Sequence, residues 1–175
     1  MNNITIEECL EKFMKEGAVV ILNVMLLFSF SFSVSAKNDI DTMSPEQVYE
    51  MAMEAGTQYN ISPELLQAIA FYESSYNPNA QNGSCKGLMQ VSEKWHWNRM
   101  ERLDVNSLYD PYGNMLVAAD YLYELFVEYE DVGMVLMTYN GDSSAHEYQM
   151  GKAKLSAYAE KILKKSEELE QEHGK

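Results

Sequence analysis

Residues 65–76 read Leu65-Leu66-Gln67-Ala68-Ile69-Ala70-Phe71-Tyr72-Glu73-Ser74-Ser75-Tyr76. Leu66, Ile69, Glu73 and Tyr76 follow one another at intervals of three, four and three. A helix therefore puts them on one face, and that face is the apolar one. Glu73 points with core residues, in the last turn of its helix. Burial disfavours its charged form, and so does the negative end of the helix dipole. An unperturbed glutamate is protonated only about once in 500 at pH 7. One with a raised pKa keeps its proton often enough to serve as a general acid. Spacing alone more often marks a glutamate that reaches past the core to solvent, so the candidate rests on its surroundings.

Outward from this helix, every start signal is helical. Ser62-Pro63-Glu64-Leu65 opens the Glu73 helix with a capping serine and a first-turn proline. Ser44-Pro45-Glu46-Gln47 does the same upstream and adds the glutamine of a capping box, which predicts a helix to Tyr59. Downstream, Asn77-Pro78-Asn79 stops the chain, and residues 79–87 read as a loop rich in Asn and Gly. A third helix begins at Ser92 and carries Trp95 and Trp97. Asp110-Pro111 opens a long one to about Glu130. A shorter one covers residues 132–139, and Asn140-Gly141-Asp142 is a turn. Residues 152–172 read as a final charged helix with Leu155, Tyr158, Ile162 and Leu169 on one stripe. No stretch alternates with period two, so no substantial sheet is expected. The fold class is all-α: one helical domain over 44–165, a polar linker at 37–43 and a charged helix end at 166–175.

The N-terminal segment reads as an export signal. Residues 17–36 carry no charge and end in Val34-Ser35-Ala36, small residues that suit signal-peptidase cleavage after Ala36. Twenty uncharged residues at about 1.5 Å each also match a bilayer core, so an uncleaved membrane anchor through 17–36 is the rival. A buried soluble helix is a third reading. The serines from Ser29 onward weaken the apolar run and favour the cleaved signal. Glu7, Glu8, Glu11 and Glu16 stand where a positive region is expected, and a start at Met14 would remove most of them. Either leading reading exports residues 37–175.

Composition excludes several classes. The 175 residues are 46% hydrophobic, enough for a packed core, and carry a net charge of −14. That charge repels phosphate backbones, so no nucleic-acid partner is expected. Two cysteines, Cys9 and Cys85, make no disulfide scaffold and no cysteine-rich zinc site. His96, His146 and His173 are the three histidines, none in a His-Glu-x-x-His pair. Phosphate-loop and dinucleotide fingerprints are missing. No metal and no cofactor is expected.

Glu73-Ser74, Gly87-Leu88-Met89-Gln90 and Met137-Thr138-Tyr139-Asn140-Gly141 together resemble the three signature motifs of the lytic transglycosylase domain. That domain belongs to the goose-type-lysozyme-like superfamily. Asp110-Pro111 with Asn114, Tyr121-Leu122, and Tyr158 with Ile162 and Leu163 resemble further positions of the family, across residues 44–165. The resemblance implies a lysozyme-like helical domain. It implies cleavage of the β-1,4 bond between N-acetylmuramic acid and N-acetylglucosamine in peptidoglycan, by one glutamate and no metal. The muramic acid C6 hydroxyl then closes a 1,6-anhydro ring. By position, Glu73 is implied as the acid/base, Ser74 and Gln90 as polar residues near the site, and Met89 as lining the sugar groove. Tyr139 is implied to hold Glu73 through its hydroxyl, and Asn140 to brace the turn.

The sequence departs from the family pattern at Ser84-Cys85-Lys86, at Val91-Ser92-Glu93-Lys94-Trp95-His96-Trp97, at Thr138 and at Gly141-Asp142. Trp95 and Trp97 suit stacking on sugars as well as they suit packing. Three other readings compete. Cys85 with His96 would make a cysteine peptidase, although no thiol-protease motif surrounds them. A groove without catalysis would make a wall-binding module. A second carboxylate, Asp110 or Asp142, would make a lysozyme-like hydrolase. Wall turnover, local opening for an envelope-spanning secretion or conjugation machinery, and phage entry are the candidate roles, and the single small domain without wall-binding repeats fits a local or machine-recruited one. The acidic final helix would be its docking face or a plain solvated one.

Overall fold

The computed structural model describes residues 42–175. Helix α1, Pro45–Tyr59, begins at the expected capping box: the Ser44 hydroxyl accepts the Gln47 N–H at 3.3 Å and Gln47 Oε1 accepts the Ser44 N–H at 3.0 Å. Helix α2, Pro63–Ser74, is the central one. Leu65, Leu66, Ala68, Ile69 and Ala70 are all buried, with α1 packed on one side and the last helix on the other.

Residues 79–87, expected as loop, contain two short strands instead, and a third follows at Val91–Ser92. β1, Gln81–Asn82, β2, Cys85–Lys86, and β3, Val91–Ser92, form an antiparallel sheet in that order, with Asn82 opposite Cys85 and Cys85 opposite Ser92. Strands of two residues are too short for alternation to appear in sequence. Helix α3, Glu93–Arg102, carries Trp95 and Trp97, and α4, Pro111–Tyr129, runs from an Asp110 cap whose Oδ2 accepts the Gly113 N–H at 2.7 Å. Helix α5 is Val132–Tyr139.

Two departures follow. A short α6, Ala145–Gln149, lies between the expected turn at 140–142 and the final helix, where no element was expected. The final helix, α7, is Ala157–Glu172 and starts five residues later than expected. The Ser156 hydroxyl accepts the Ala159 N–H and caps it there, so Leu155 precedes the helix. Downstream α7 is continuous. Ser166 and Leu169 are buried, so residues 166–172 pack into the same body.

The core joins Leu66 and Ile69 of α2, Leu88 and Met89, Met115 and Leu122 of α4, Leu136 and Met137 of α5, and Ile162 of α7. Helix α7 lies antiparallel to α2: Glu64 near the start of α2 meets His173 and Lys175, and Glu73 near its end meets Tyr158. Among the described residues no helix is long and apolar enough to cross a membrane. Residues 1–36, read from the sequence as an export signal or an anchor, lie outside the described residues.

Candidate active site

Glu73 sits half-buried on the last turn of α2. The chain leaves the helix through two successive left-handed residues, Ser75 at φ 52° and Tyr76 at φ 63°. Neither is glycine, so the turn is held by what surrounds it. The Ser75 N–H bonds Phe71 O at 2.9 Å, and the Tyr76 ring is buried. This fixes the helix end that carries the carboxylate.

Tyr158 of α7 donates its hydroxyl to Glu73 Oε1 at 2.5 Å. Burial raises the Glu73 pKa, against the opposing pull of the Tyr158 hydroxyl and the nearby Lys161 ammonium. The net direction is upward, the direction a general acid requires. Burial, and then the charge of Glu73, push the Tyr158 phenol well up, so it remains a donor.

Tyr139 does something other than expected. Its hydroxyl donates to the Met89 carbonyl at 2.8 Å, not to Glu73. The expectation assigned the holding tyrosine to α5; the packing of α7 along α2 supplies it from Tyr158. Tyr139 still lies near the acid, since burial and then the Glu73 charge raise its phenol. Met89 is likewise used through its backbone. Its side chain is 0% exposed in the core, so it does not line the groove, and its N–H and C=O hold the turn.

The Gly87–Gln90 turn is clamped by Asn114 of α4, which is fully buried. Its Oδ1 accepts the Met89 N–H at 2.7 Å, and its Nδ2 donates to Lys86 O at 2.9 Å and Leu108 O at 2.8 Å. Gly87 is at φ 76°, and a Cβ there would stand 2.1 Å from Leu108 O and 2.4 Å from Asn114 Nδ2. Only glycine fits against this clamp. Gln90, itself left-handed at φ 49°, donates its amide to Gly87 O at 2.9 Å and Ala80 O at 3.2 Å. It braces the turn while one edge faces the groove.

That groove encloses about 520 Å³. Gln90, Trp95, His96, Tyr121, Tyr139 and Asn140 are among the residues that line it. Trp95 is 73% exposed at its rim, whereas Trp97 is exposed outside it. His96 packs on Tyr121 with ring centroids 4.7 Å apart, and burial lowers its pKa. Arg99 pairs with Asp120 and Glu124 beneath it. Ser74 is near the acid in sequence, but its hydroxyl is committed to Ala70 O at 3.1 Å. Asn140 caps α5 through its backbone and leaves its side chain exposed.

The candidate second carboxylates are both engaged locally. Asp110 caps α4, and Asp142 Oδ1 accepts the Ser144 N–H at 2.9 Å and its hydroxyl at 2.7 Å. Cys85 and His96 both line the groove, yet no bond links them. The sequence reading missed the site role of Tyr158. The signal was a tyrosine on an otherwise apolar stripe, whose hydroxyl must find a partner when the ring is buried.

Comparisons with known proteins bear on the family and the fold. A transglycosylase of Enterobacteria phage PRD1 is 32% identical over 119 residues, 67% of this chain and 42% of that protein. An Escherichia coli X polypeptide is 31% identical over 118 residues, 63% of this chain and 68% of that protein. The chain thus spans less than half the length of the phage relative. The 70-kDa soluble lytic transglycosylase of E. coli superposes with a TM-score of 0.61 at 17% identity, over 71% of this chain and 24% of that one. An inactive mutant of the lytic transglycosylase Slt of Pseudomonas aeruginosa gives 0.64 at 16% identity, over 79% and 26%. At such identities the likeness is one of fold, and the fold is the lysozyme-like one. The family model described as the Transglycosylase SLT domain matches residues 50–162, most of the described chain, and the chain belongs to that family.

Proposed function

We propose that the protein is a peptidoglycan lytic transglycosylase with Glu73 as its acid and base. The observation that carries this reading is a half-buried glutamate with a raised pKa, held by one tyrosine hydroxyl and near Tyr139, which lines a groove of about 520 Å³. Protonated Glu73 gives its proton to the glycosidic oxygen between N-acetylmuramic acid and N-acetylglucosamine. The C1–O bond breaks, and the glucosamine leaves with a free hydroxyl. The resulting carboxylate takes the proton from the muramic acid C6 hydroxyl as that oxygen bonds C1. A 1,6-anhydro ring closes, no water is consumed, and the acid is restored.

Support for a single carboxylate comes from the commitments of Asp110 and Asp142 to local caps and from the pairing of Glu124, the carboxylate among the groove's lining residues, with Arg99. A hydrolase would place a second carboxylate about 5–9.5 Å from the acid. Tyr158 orients Glu73, and Tyr139 with Asn114 holds the Met89 turn beside it. Gln90, Tyr139 and Asn140, with the exposed Trp95, form the groove we assign to the glycan. Ser74 acts through the helix end and Met89 through its backbone. The reaction is outside the cytoplasm, reached by export through residues 1–36, cleaved or kept as an anchor, with recruitment to an envelope-spanning machinery.

Mass spectrometry of fragments released from purified peptidoglycan tests the reaction. The expected products carry 1,6-anhydro-muramic acid. Products heavier by one water would mean a hydrolase and overturn the ring closure. Binding to the wall without release would mean a non-catalytic module, and cut stem peptides would point to Cys85.

A further inference from the structure

One cation beside the acid has no role in the reaction as derived. Lys161, on the exposed side of α7, holds its Nζ 4.5 Å from the centre of the Tyr72 ring and 5.2 Å from that of Tyr158. Tyr72 is the residue before Glu73, and Tyr158 is the residue that binds it. The ammonium is therefore seated between the ring of Tyr72 and the ring of Tyr158, which binds the carboxylate, by cation–π attraction to both. Its neighbours Lys164 and Lys165 both pair with Glu168, and Lys165 also lies 5.8 Å from the centre of the Phe71 ring, whereas Lys161 faces Tyr72 and Tyr158. Among the described residues Lys161 has no carboxylate within ion-pair distance. It reaches Glu73 only as a nearby charge.

The surface around it has a second property. Phe71 and Tyr72 are 37% and 38% exposed and meet edge to face at 5.1 Å. A seated cation beside an exposed aromatic ledge fits a ligand with an apolar body and a carboxylate. The protein as a whole carries −14 and repels such a ligand at long range. A positive charge at the reaction centre offsets that repulsion where it matters.

We propose that Lys161 is a specificity-determining residue that receives a carboxylate of the substrate's peptide stem beside Glu73, with Tyr72 and Phe71 as the apolar floor. This rests on the reading of the protein as a peptidoglycan-cleaving enzyme. It makes stem-bearing strands the preferred substrate over strands whose stems lack free carboxylates.

The test compares peptidoglycan with the same material after carbodiimide coupling to methylamine, which amidates its carboxylates and leaves the glycan intact. Wild type is expected to lose about tenfold in kcat/KM on the amidated wall, the size of one charge-assisted contact. Lys161→Met is expected to lose about tenfold on the native wall and nothing more on amidation. Lys161→Arg should keep the wild-type preference. If Lys161 only steadies Tyr158, Lys161→Met lowers both substrates equally and still discriminates between them, and the proposal falls. It falls too if wild type does not discriminate. Glu73→Gln separates this from the parent reading: its continued activity on either wall overturns Glu73 as the acid without bearing on Lys161. Calorimetry of stem-bearing and amidated muropeptides on Glu73→Gln repeats the comparison as a ratio of Kd values and needs no turnover. Equal Kd values there overturn the proposal.

Discussion

Helix α2 carries two inward carboxylates, Glu64 in its first turn and Glu73 in its last, and they have opposite fates. Glu64 is only 1% exposed, yet its pKa is the lowered one. Burial pushes its pKa up, but the Lys175 ammonium, its own backbone N–H, the Ser62 hydroxyl and His173 outweigh that and hold it at about 2. Lys175 Nζ lies 2.8 Å from Oε1, Ser62 donates to Oε2 at 2.9 Å, and the Tyr49 hydroxyl donates to Oε1 at 3.0 Å. Glu73 is less buried, but it has one hydroxyl donor and a cation that does not touch it, and its pKa rises. Burial alone does not decide ionisation; the number of donors at the carboxylate does. Glu64 ties the far end of α7 to α2, and Glu73 has its pKa moved in the direction a general acid needs.

Exchanging either carboxylate for its amide breaks this contrast, and the largest effect is expected at Glu73. Glu73→Gln should lower turnover by about a thousandfold or more, the scale of a lost general acid. It should leave the melting temperature unchanged or slightly raised, because it removes a carboxylate that burial disfavours. Glu64→Gln should leave turnover within about threefold of wild type and lower stability instead. Peptidoglycan-release assays beside thermal melts read both. Equal losses of turnover would mean that the two carboxylates do not divide the work.

The two tyrosines sharpen the contrast at the Glu73 end. Tyr158→Phe removes the only hydroxyl that donates to Glu73 among the described residues, and is expected to cost about ten- to a hundredfold in kcat through lost positioning. A donor to a carboxylate favours the ionised form, so its removal raises the Glu73 pKa. Activity requires the protonated acid and falls as pH rises through that pKa. The alkaline limb of the pH–rate profile should therefore move to higher pH. The groups facing Glu73 are Tyr158 and Lys161 from α7 and Tyr139 from α5. Tyr139→Phe should leave the limb in place. It orphans the Met89 carbonyl, at a cost of about 1–2 kcal/mol in stability. A limb that moved with Tyr139→Phe and not with Tyr158→Phe would restore the assignment read from the motif.

Local rules made much of this legible. The spacing of Leu66, Ile69 and Glu73 placed the carboxylate on the apolar face, and Ser44, Asp110 and their prolines placed the helix starts, because caps act within one turn. What the sequence did not reveal depends on contacts between distant segments. Tyr158 meets Glu73 across 85 residues, and the partners His173 and Lys175 of Glu64 lie 109 and 111 residues away. The stripe on α7 announced a buried ring without announcing where its hydroxyl ends. Met89 stands in a motif whose letters suggest side chains at work, yet its side chain is core and its peptide groups are engaged. Asn114 was visible as a motif letter, but its two bonds to a turn 25 and 28 residues upstream, and its third to Leu108 O, were not.

The smallest effect expected is also the most specific test of the Glu64 end. Its folded-state pKa of about 2 lies below that of an unfolded glutamate. A depressed carboxylate contributes stability that is complete above the unfolded value and is lost as pH falls through the folded one. At pH 7, Glu64→Gln should therefore be less stable than wild type by about 2 kcal/mol in denaturant titrations. Between about pH 4 and pH 2 the wild-type advantage should shrink toward zero, since its carboxylate then takes up the proton that makes it resemble the amide. Lys175→Met should reproduce part of the loss at pH 7, because it removes the first of the contacts that outweigh burial, while Tyr49, Ser62 and His173 keep the rest. A difference that persisted undiminished at pH 2 would mean that Glu64 acts by shape and not by charge, and the two ends of α2 would no longer be a pair of opposites.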